Sequence, residues 1–223
     1  TFALDSNTEA ASNVAVGYLA LGDNTTGAQN VGIGTNALDA NTTGANNTGI
    51  GHAALSANTT ADDNTAVGRD ALGANTTGSL NVAAGKGALG TNTTGAKNTV
   101  VGVIAGDALT TGGRNTALGY EALSSDTKGD VSVAIGNGAL KTQNFTSATD
   151  TFNVAVGHDA GGAVTTGTRN TFIGGLAGDA TDDGAENVAV GHAALSANCG
   201  DHNVAVGQEA LTACTGAGNT SVG

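Results

Sequence analysis

The sequence predicts an all-β fold, a parallel β-solenoid (β-roll) built from 17-residue coils. Three observations indicate it: a glycine that recurs at a fixed period, a short β-branched apolar segment before each glycine, and a turn motif after it. A fixed period of this size is typical of solenoids and repeat arrays. No helical period survives along the chain, and 37 glycines without a single proline exclude collagen.

The recurring glycines, called marker glycines below, define the repeat. The steps between them are 17 residues, apart from one step of 21 and two final steps of 16 that lead to Gly223. The repeat-defining positions are Gly17, Gly34, Gly51, Gly68, Gly85, Gly102, Gly119, Gly136, Gly157, Gly174, Gly191 and Gly207.

Each copy reads as two strands and two turns. The segment before the marker glycine, for example 154–156, is short and β-branched, which favours a strand. Ala follows three residues after every marker glycine and Leu usually comes next, so we expect a second short strand there; Gly106, Gly161 and Gly178 replace the Leu. The Asn-Thr-Thr-Gly motif is a turn signal, in which Asn tolerates left-handed backbone and Gly supplies positive φ.

The strand before the marker glycine is apolar on both sides. Its first and third residues are apolar or Thr, and the residue between them is small and mostly apolar. A strand with water on one side alternates apolar and polar residues. We therefore expect one side to close the coil's own core and the other to pack against sister chains, where small residues permit close approach. The alternative is a second sheet of the same chain over that side.

The copies at 30–34, 153–157 and 203–207 resemble the head repeats of trimeric autotransporter adhesins, the YadA-like β-roll. The longer unit with Asn-Thr-Thr-Gly is similar to repeats of phage tail fibres and bacterial surface proteins. The resemblance implies a homotrimeric fibre that acts as an adhesive head or shaft. It also implies an extracellular location, on a virion or a bacterial cell surface, and a host-cell surface receptor or glycan as partner. The autotransporter repeat is a few residues shorter, which favours the fibre-type relatives.

One solenoid domain is expected over residues 13–223, with about 12 coils, after a lead-in at 1–12. The chain starts and stops within repeats, so we expect a segment of a longer fibre protein. The net charge is −12, and no basic face of the kind that nucleic-acid binding requires is visible in the sequence. No apolar stretch is long enough to span a membrane, so this segment is not expected to insert into one.

Catalytic chemistry has no counterpart in the repeats. No Ser-His-Asp set, phosphate loop or carboxylate pair stands apart from them, so we expect no enzyme activity, no catalytic or metal-ligating residues and no cofactor. His52, His158 and His192 lie in separate coils without ligand spacing, which favours exposed turn histidines over a metal site.

The step from Gly136 to Gly157 contains an insertion near 141–152. Asn144, Phe145 and Phe152 are candidates for a binding loop on it. The alternative is a tolerated insertion whose Phe residues, together with Phe172 in the next coil, fill a local gap.

The Asn-Thr-Thr motifs permit two further interpretations. Rows of Thr are also typical of an ice-binding solenoid, which is our alternative function. Asn-x-Thr sequences could carry glycans in a secreted eukaryotic protein, although the turn explanation is sufficient. They start at Asn24, Asn41, Asn58, Asn75 and Asn92.

Cys199 and Cys214 are the only cysteines and fall in the turns of neighbouring coils. Stacking would place their Cα atoms about 5 Å apart, within the disulfide range. We therefore predict a disulfide, which would stabilise the fold by about 3 kcal/mol in the chain-entropy model. The alternative is two stacked thiols without a bond.

Overall fold

A computed structural model describes residues 2–223, which form two compact units, one ending at Gly113 and the other spanning Arg114–Gly223. No helix occurs in the described residues. The strands of the first unit are β1 Val14–Val16, β2 Val31–Ile33, β3 Thr48–Ile50, β4 Thr65–Val67, β5 Val82–Ala84 and β6 Thr99–Val101. Those of the second are β7 Thr116–Leu118, β8 Gly129–Asp130, β9 Val133–Ile135, β10 Thr149–Asp150, β11 Val154–Val156, β12 Thr171–Ile173, β13 Val188–Val190, β14 Val204–Val206 and β15 Thr220–Val222.

The strands pair in parallel, and each residue faces its equivalent in the next coil. In the first unit β1 to β6 pair in chain order, with Ile33 opposite Ile50 as an example. In the second unit the order is β7, β9, β11, β12, β13, β14, β15. The insertion adds a separate parallel pair, β8 with β10. The predicted parallel β-solenoid with 17-residue coils is confirmed.

The core of each coil lies between the strand and the Ala-Leu pair. In the three-residue strands other than β1 and β15, the middle residue is buried, as at Ala66 and Ala83, and so are Ala20 and Leu21. A Cβ on Gly32 would lie 3.3 Å from Leu21 Cγ, so the Leu side chain fills the space under the strand. Only a small residue fits above it. The expectation that these small residues face sister chains is therefore wrong: they face the chain's own core.

The expectation of a second strand at the Ala-Leu pair is also wrong. The Leu adopts left-handed backbone, with φ of 52° at Leu21 and 53° at Leu38, which an extended strand does not allow. Its N–H still donates to the next coil, from Leu21 N to Ala37 O at 2.9 Å. The coil therefore has one strand, and the Leu bends the chain so that its side chain points inward.

The marker glycines are required by both conformation and space. Gly17 has φ of 131°, and a Cβ there would lie 2.6 Å from Gly34 O in the next coil. An L side chain at this position would be strained and would collide with backbone.

The Asn of Asn-Thr-Thr-Gly is buried and hydrogen-bonded, and it is not left-handed. Asn58 Nδ2 donates to Asn41 Oδ1 at 2.8 Å and to Ala61 O at 3.1 Å. The turn Gly, such as Gly27, lacks positive φ; a Cβ there would meet Asn24 Oδ1 at 2.6 Å. The expected turn chemistry is therefore wrong, because close stacking, rather than left-handed backbone, selects these residues.

The solenoid pattern begins before residue 13. Leu4 has φ of 55° and its N–H donates to Ala20 O at 3.1 Å, as the Leu residues of later coils do. Asn7 Oδ1 accepts from Asn24 Nδ2 at 3.0 Å. The segment at 3–7 thus repeats the segment at 20–24, within the residues expected to be a lead-in.

Candidate functional site

The candidate site is the side of each sheet that points away from the core. We call it the outer strand face, and it consists of the first and third residues of the three-residue strands. These residues are half-buried or exposed in both units. Exposed fractions of the third residue include 58% at Val16, 41% at Val67 and 42% at Ile173. The exposed apolar members are Val14, Val16, Ile33, Ile50, Val67, Val82, Val101, Leu118, Ile173, Val206 and Val222.

The outer strand face is not part of the core that the chain builds for itself. Away from the chain ends, the regular coils build their core from the middle strand residue and the Ala-Leu pair, all fully buried, as in Ala66, Ala71 and Leu72. The expected alternative, a second sheet of the same chain over the small-residue side, is wrong in one respect: the same chain does cover that side, but with the Ala-Leu turn rather than with a sheet. Contiguous exposed apolar surface on a soluble protein marks an interaction site.

Backbone geometry fixes the width of this face. The residue five positions before each marker glycine has φ near +60°, for example 59° at Asp63 and 60° at Glu186. The marker glycine itself turns the chain at the other end of the strand, with φ of 138° at Gly68. Each coil thus presents a three-residue flat segment between two bends, and parallel stacking aligns these segments.

A buried polar cluster closes the insertion. The Asp126 carboxylate accepts from Gly129 N at 2.9 Å, Phe145 N at 3.1 Å and Gln143 Nε2 at 2.6 Å. Gln143 Oε1 accepts from Asn153 Nδ2 at 2.8 Å. Because Asp126 and Gln143 occupy the position of the stacked Asn residues, the cluster continues their hydrogen bonding across the longer loop.

The three predicted loop residues have different environments. Asn144 is exposed and accepts from Thr127 Oγ1 at 3.1 Å, whereas Phe145 is only 7% exposed and packs inward. Phe152 is 49% exposed, with φ of 52°, and lies at the bend beside the outer strand face rather than on the loop tip. Receptor binding by this loop stays a prediction.

Cys199 and Cys214 are brought together as free, buried thiols. Cys199 Sγ donates to Cys214 O at 3.3 Å, and Cys214 Sγ donates to Gly216 O at 3.3 Å. Burial, followed by the hydrogen bond and the charge of Cys214, raises the pKa of Cys199 to about 12. The disulfide stays a prediction.

The remaining candidate residues are the asparagines of the Asn-x-Thr sequences and the three histidines. Asn24 and its four equivalents are fully buried, so a glycan cannot be attached to them in the folded protein. His52, His158 and His192 are exposed, and the first two lie 3.8 Å and 3.5 Å from Asp70 and Asp159, respectively. Over residues 2–223, no group of three or more His, Cys, Asp or Glu is arranged to hold a metal ion.

Comparison with protein-family models, curated proteins and solved structures gives no match for this chain. No helix within the described part of the chain is long and apolar enough to cross a membrane.

The sequence analysis assigned the outward-facing side of the strand to the wrong residues. The signal that identifies the correct side is the recurrence of Gly and Ala at the middle strand position, as in Gly32 and Gly49. Where the inward-pointing Leu is close, only a side chain of this size fits: a Cβ on Gly49 would already lie 3.3 Å from Leu38 Cγ.

Proposed function

We propose that this chain is a structural and adhesive fibre segment that assembles as a homotrimer through its outer strand face. The exposed apolar character of that face in coil after coil is the observation that supports the proposal. A chain whose core is already complete gains nothing from exposed Val and Ile, whereas burying them between chains stabilises an assembly.

Three chains, an extracellular location and attachment to a host cell are supported by the resemblance to autotransporter heads and tail-fibre repeats. In this proposal the segment has no enzymatic role. It positions a receptor- or glycan-binding element on a virion or a bacterial surface, and its regular coils supply length and rigidity.

Mass measurement by light scattering with chromatography tests the assembly. We expect three chains for the natural sequence and a folded monomer for Ile50→Lys, because a buried Lys charge at a shared face is costly. Thr43→Lys is the matched control, since Thr43 is exposed on a different side of the coil. A folded monomer of the natural sequence would overturn the homotrimer.

Attachment is tested separately by binding of the fluorescently labelled trimer to intact cells of candidate hosts, with the folded Ile50→Lys monomer as comparison. Saturable binding that requires the trimer supports the adhesive role. Absence of binding to any cell type restricts the segment to a structural shaft.

Ice binding is the second candidate, and one observation favours it. The second Thr of each Thr-Thr pair in the turns of the first unit is exposed, whereas the first Thr donates to backbone, as Thr42 Oγ1 does to Thr59 O at 3.0 Å. The exposed residues are Thr26, Thr43, Thr60, Thr77, Thr94 and Thr111. Thermal hysteresis that disappears in Thr60→Lys would support ice binding, and its absence in the natural sequence would exclude it.

A further inference from the structure

Most coils carry one exposed residue at either side of the outer strand face, and the exceptions, Val131 and Gly175, are half-buried. The residue five positions before the marker glycine forms the leading edge, and the residue directly after the marker glycine forms the trailing edge. In the coil of β4 these are Asp63 and Arg69, both exposed. In the coil of β13 they are Glu186 and His192, also exposed.

We propose that the leading edge of one chain contacts the trailing edge of a second copy of this chain at the same coil level. The inference rests on the proposed homotrimer and specifies which edges meet. The partner is another copy, and the contact is head to tail, so each chain uses both of its edges.

The two edges of one chain cannot satisfy each other. Five residues lie between Asp63 and Arg69, and three of them form the extended strand β4. A fully extended segment of this length would span roughly 20 Å at about 3.3 Å per residue. The bends at both ends shorten this distance, but the strand holds the two edges apart, and the acid beside Arg69 is Asp70 rather than Asp63. Any direct contact between a leading and a trailing edge of the same coil is therefore between chains.

Charge complementarity supports this pairing. Asp63 and Arg69 carry opposite charges, and Glu186 opposes His192 when the imidazole is protonated. In the coils between Ser12 and Gln208, no coil has the same charge sign at both edges. Opposite potentials on facing surfaces set register and exclude wrong arrangements.

Two further coils place an aromatic ring where a partner's edge would meet it. Arg114 and Tyr120 are the edges of the β7 coil, a pair suited to cation–π contact. Phe152 and His158 are the edges of the β11 coil, and Phe152 is 49% exposed. An exposed Phe at a bend gains burial if a neighbouring chain covers it.

Existing contacts within the chain do not prevent these pairings. Arg69 Nε lies 3.5 Å from Asp70 Oδ2, and Glu186 is 3.2 Å from Arg169 and 3.1 Å from His202. Arg114 Nη2 lies 2.8 Å from Asp150 Oδ1 and 3.6 Å from Asp130 Oδ2. Apart from that of Asp130, all of these side chains are more than two-fifths exposed. Exposed ion pairs contribute little and rearrange readily.

Symmetry determines the level at which the edges meet. When chains form a closed ring around an axis parallel to the stacking direction, the symmetry operation that relates them is a pure rotation, so no chain is shifted along that axis. Each coil therefore meets the coil of the same number, and a leading edge always meets a trailing edge. A two-fold axis parallel to the strands would instead bring leading edges together.

Cysteine cross-linking tests the edge assignment in the full chain. The variant Asp63→Cys/Arg69→Cys is oxidised with a copper–phenanthroline catalyst and dioxygen, in which two thiols lose two protons and two electrons to form each disulfide. We expect a covalent three-chain species on a non-reducing gel. Cys199 and Cys214 are buried and stay in place in every variant, so the natural sequence treated alike gives the background.

Matched variants separate the outcomes. Each single substitution should give no cross-linked species, and co-refolding the two single variants should give two-chain species. Asp63→Cys/Thr35→Cys is the control for level, because Thr35 is a trailing-edge residue two coils away, about 10 Å along the stack. Efficient bonding in that control would overturn the same-level contact.

Failure of this inference is distinguishable from failure of the proposed function. A trimer by mass in which Asp63→Cys/Arg69→Cys forms no interchain disulfide, or in which the single variant Asp63→Cys does form one, overturns the edge assignment alone. A folded monomer by mass overturns the homotrimer and the edge assignment together.

Discussion

The regular coils of the first unit and two coils of the second unit fill the same interior in different ways. In the first unit, Leu four residues after the marker glycine and Asn seven residues after it are both buried, as at Leu55 and Asn58. In the coils that begin at Gly157 and Gly174, the Leu is replaced by Gly161 and Gly178. The missing side-chain volume is then supplied from the strand.

Phe172 supplies it. This residue occupies the middle position of β12, where other strands have Gly, Ala, Ser or Val, and it is fully buried. A Cβ on Gly161 would lie 2.9 Å from Phe172 Cδ2, and one on Gly178 would lie 2.5 Å from Phe172 Cδ1. One ring thus fills the space of two Leu side chains in adjacent coils.

The same exchange changes the polar stack. Where Gly replaces Leu, the Asn three residues later is also replaced, by Leu109, Val164 and Thr181. In the first unit the stack ends at Asn92, whose Oδ1 is buried without a partner, as expected where no Asn follows. The comparison teaches that the backbone of the coil is constant while its interior can be filled in two ways. In the first, a buried Leu lies four residues after the marker glycine and a buried Asn seven residues after it; in the second, these positions hold Gly and an apolar or Thr residue.

The largest expected effect tests the constant backbone. Gly174→Ala should reduce the free energy of unfolding by more than about 5 kcal/mol, because it forces an L residue to φ of 133° and drives its Cβ into Gly191 O. The neighbouring Gly175→Ala is the control: its nearest contact would be His192 Cδ2 at 3.8 Å, and it should change stability little. Urea denaturation followed by circular dichroism measures both, and equal effects would contradict the argument.

The next effect tests the second solution for the interior. Phe172→Ala should cost about 3–5 kcal/mol, because it removes a buried ring and leaves a cavity beneath two glycines. Adding Gly178→Leu should recover part of the loss, since Leu at this position adopts the same left-handed backbone elsewhere, with φ of 60° at Leu211 against 61° at Gly178. In the natural background Gly178→Leu alone should destabilise. A double variant no more stable than Phe172→Ala would show that the ring does not substitute for Leu.

The third expected effect on stability concerns the cysteine pair, which lies in two coils that follow neither of these two arrangements of the interior. Oxidation to the Cys199–Cys214 disulfide should raise the free energy of unfolding by about 3 kcal/mol over the reduced protein. After denaturation without reductant and alkylation, the disulfide-bonded chain carries no alkyl group, whereas the reduced chain carries two. Denaturation is needed because buried thiols react slowly in the folded state. Two alkylated cysteines in protein never exposed to reductant would exclude the bond.

The reduced protein should also lose stability at high pH. The folded-state pKa of Cys199 is raised from 9.0 to about 12, so between these values the folded state binds more protons than the unfolded state. The contribution is complete below pH 9 and is lost as the pH rises towards 12. Denaturation of the oxidised protein should lack this component.

Much of the fold could be predicted from the sequence because stacking places equivalent residues of successive coils against each other, so that the same residue types recur at a fixed period. The 17-residue period and the β-branched segment identified the strands, such as Thr65–Val67, directly. The left-handed Leu was missed because Leu rarely adopts that conformation, yet Gly106, Gly161 and Gly178 at the same position signal it. The side of the strand that faces outward depends on how deep the interior is, which the period does not encode.

The smallest effect tests the polar stack of the first unit. Asn58→Ala should cost about 2 kcal/mol, because it leaves Asn41 Oδ1 without its donor and removes the acceptor of Asn75 Nδ2, which lies 3.0 Å from Asn58 Oδ1. Asn58→Leu should cost at least as much, since Leu55 already fills the interior of that coil and the added side chain has no space.

Combining Asn58→Leu with Leu55→Gly converts the coil to the arrangement seen at Gly106 and Leu109, and should recover part of the loss. Leu109 Cδ1 lies 3.2 Å from a Cβ placed on Gly106, which shows how the Leu seven residues after the marker glycine fills the space left at the Gly. Thermal and urea denaturation of the single and double variants measure the coupling between the two positions. Additive losses would mean that the two solutions are not interchangeable and that each depends on the neighbouring coils. A double variant more stable than Asn58→Leu would establish that the choice is made within a single coil.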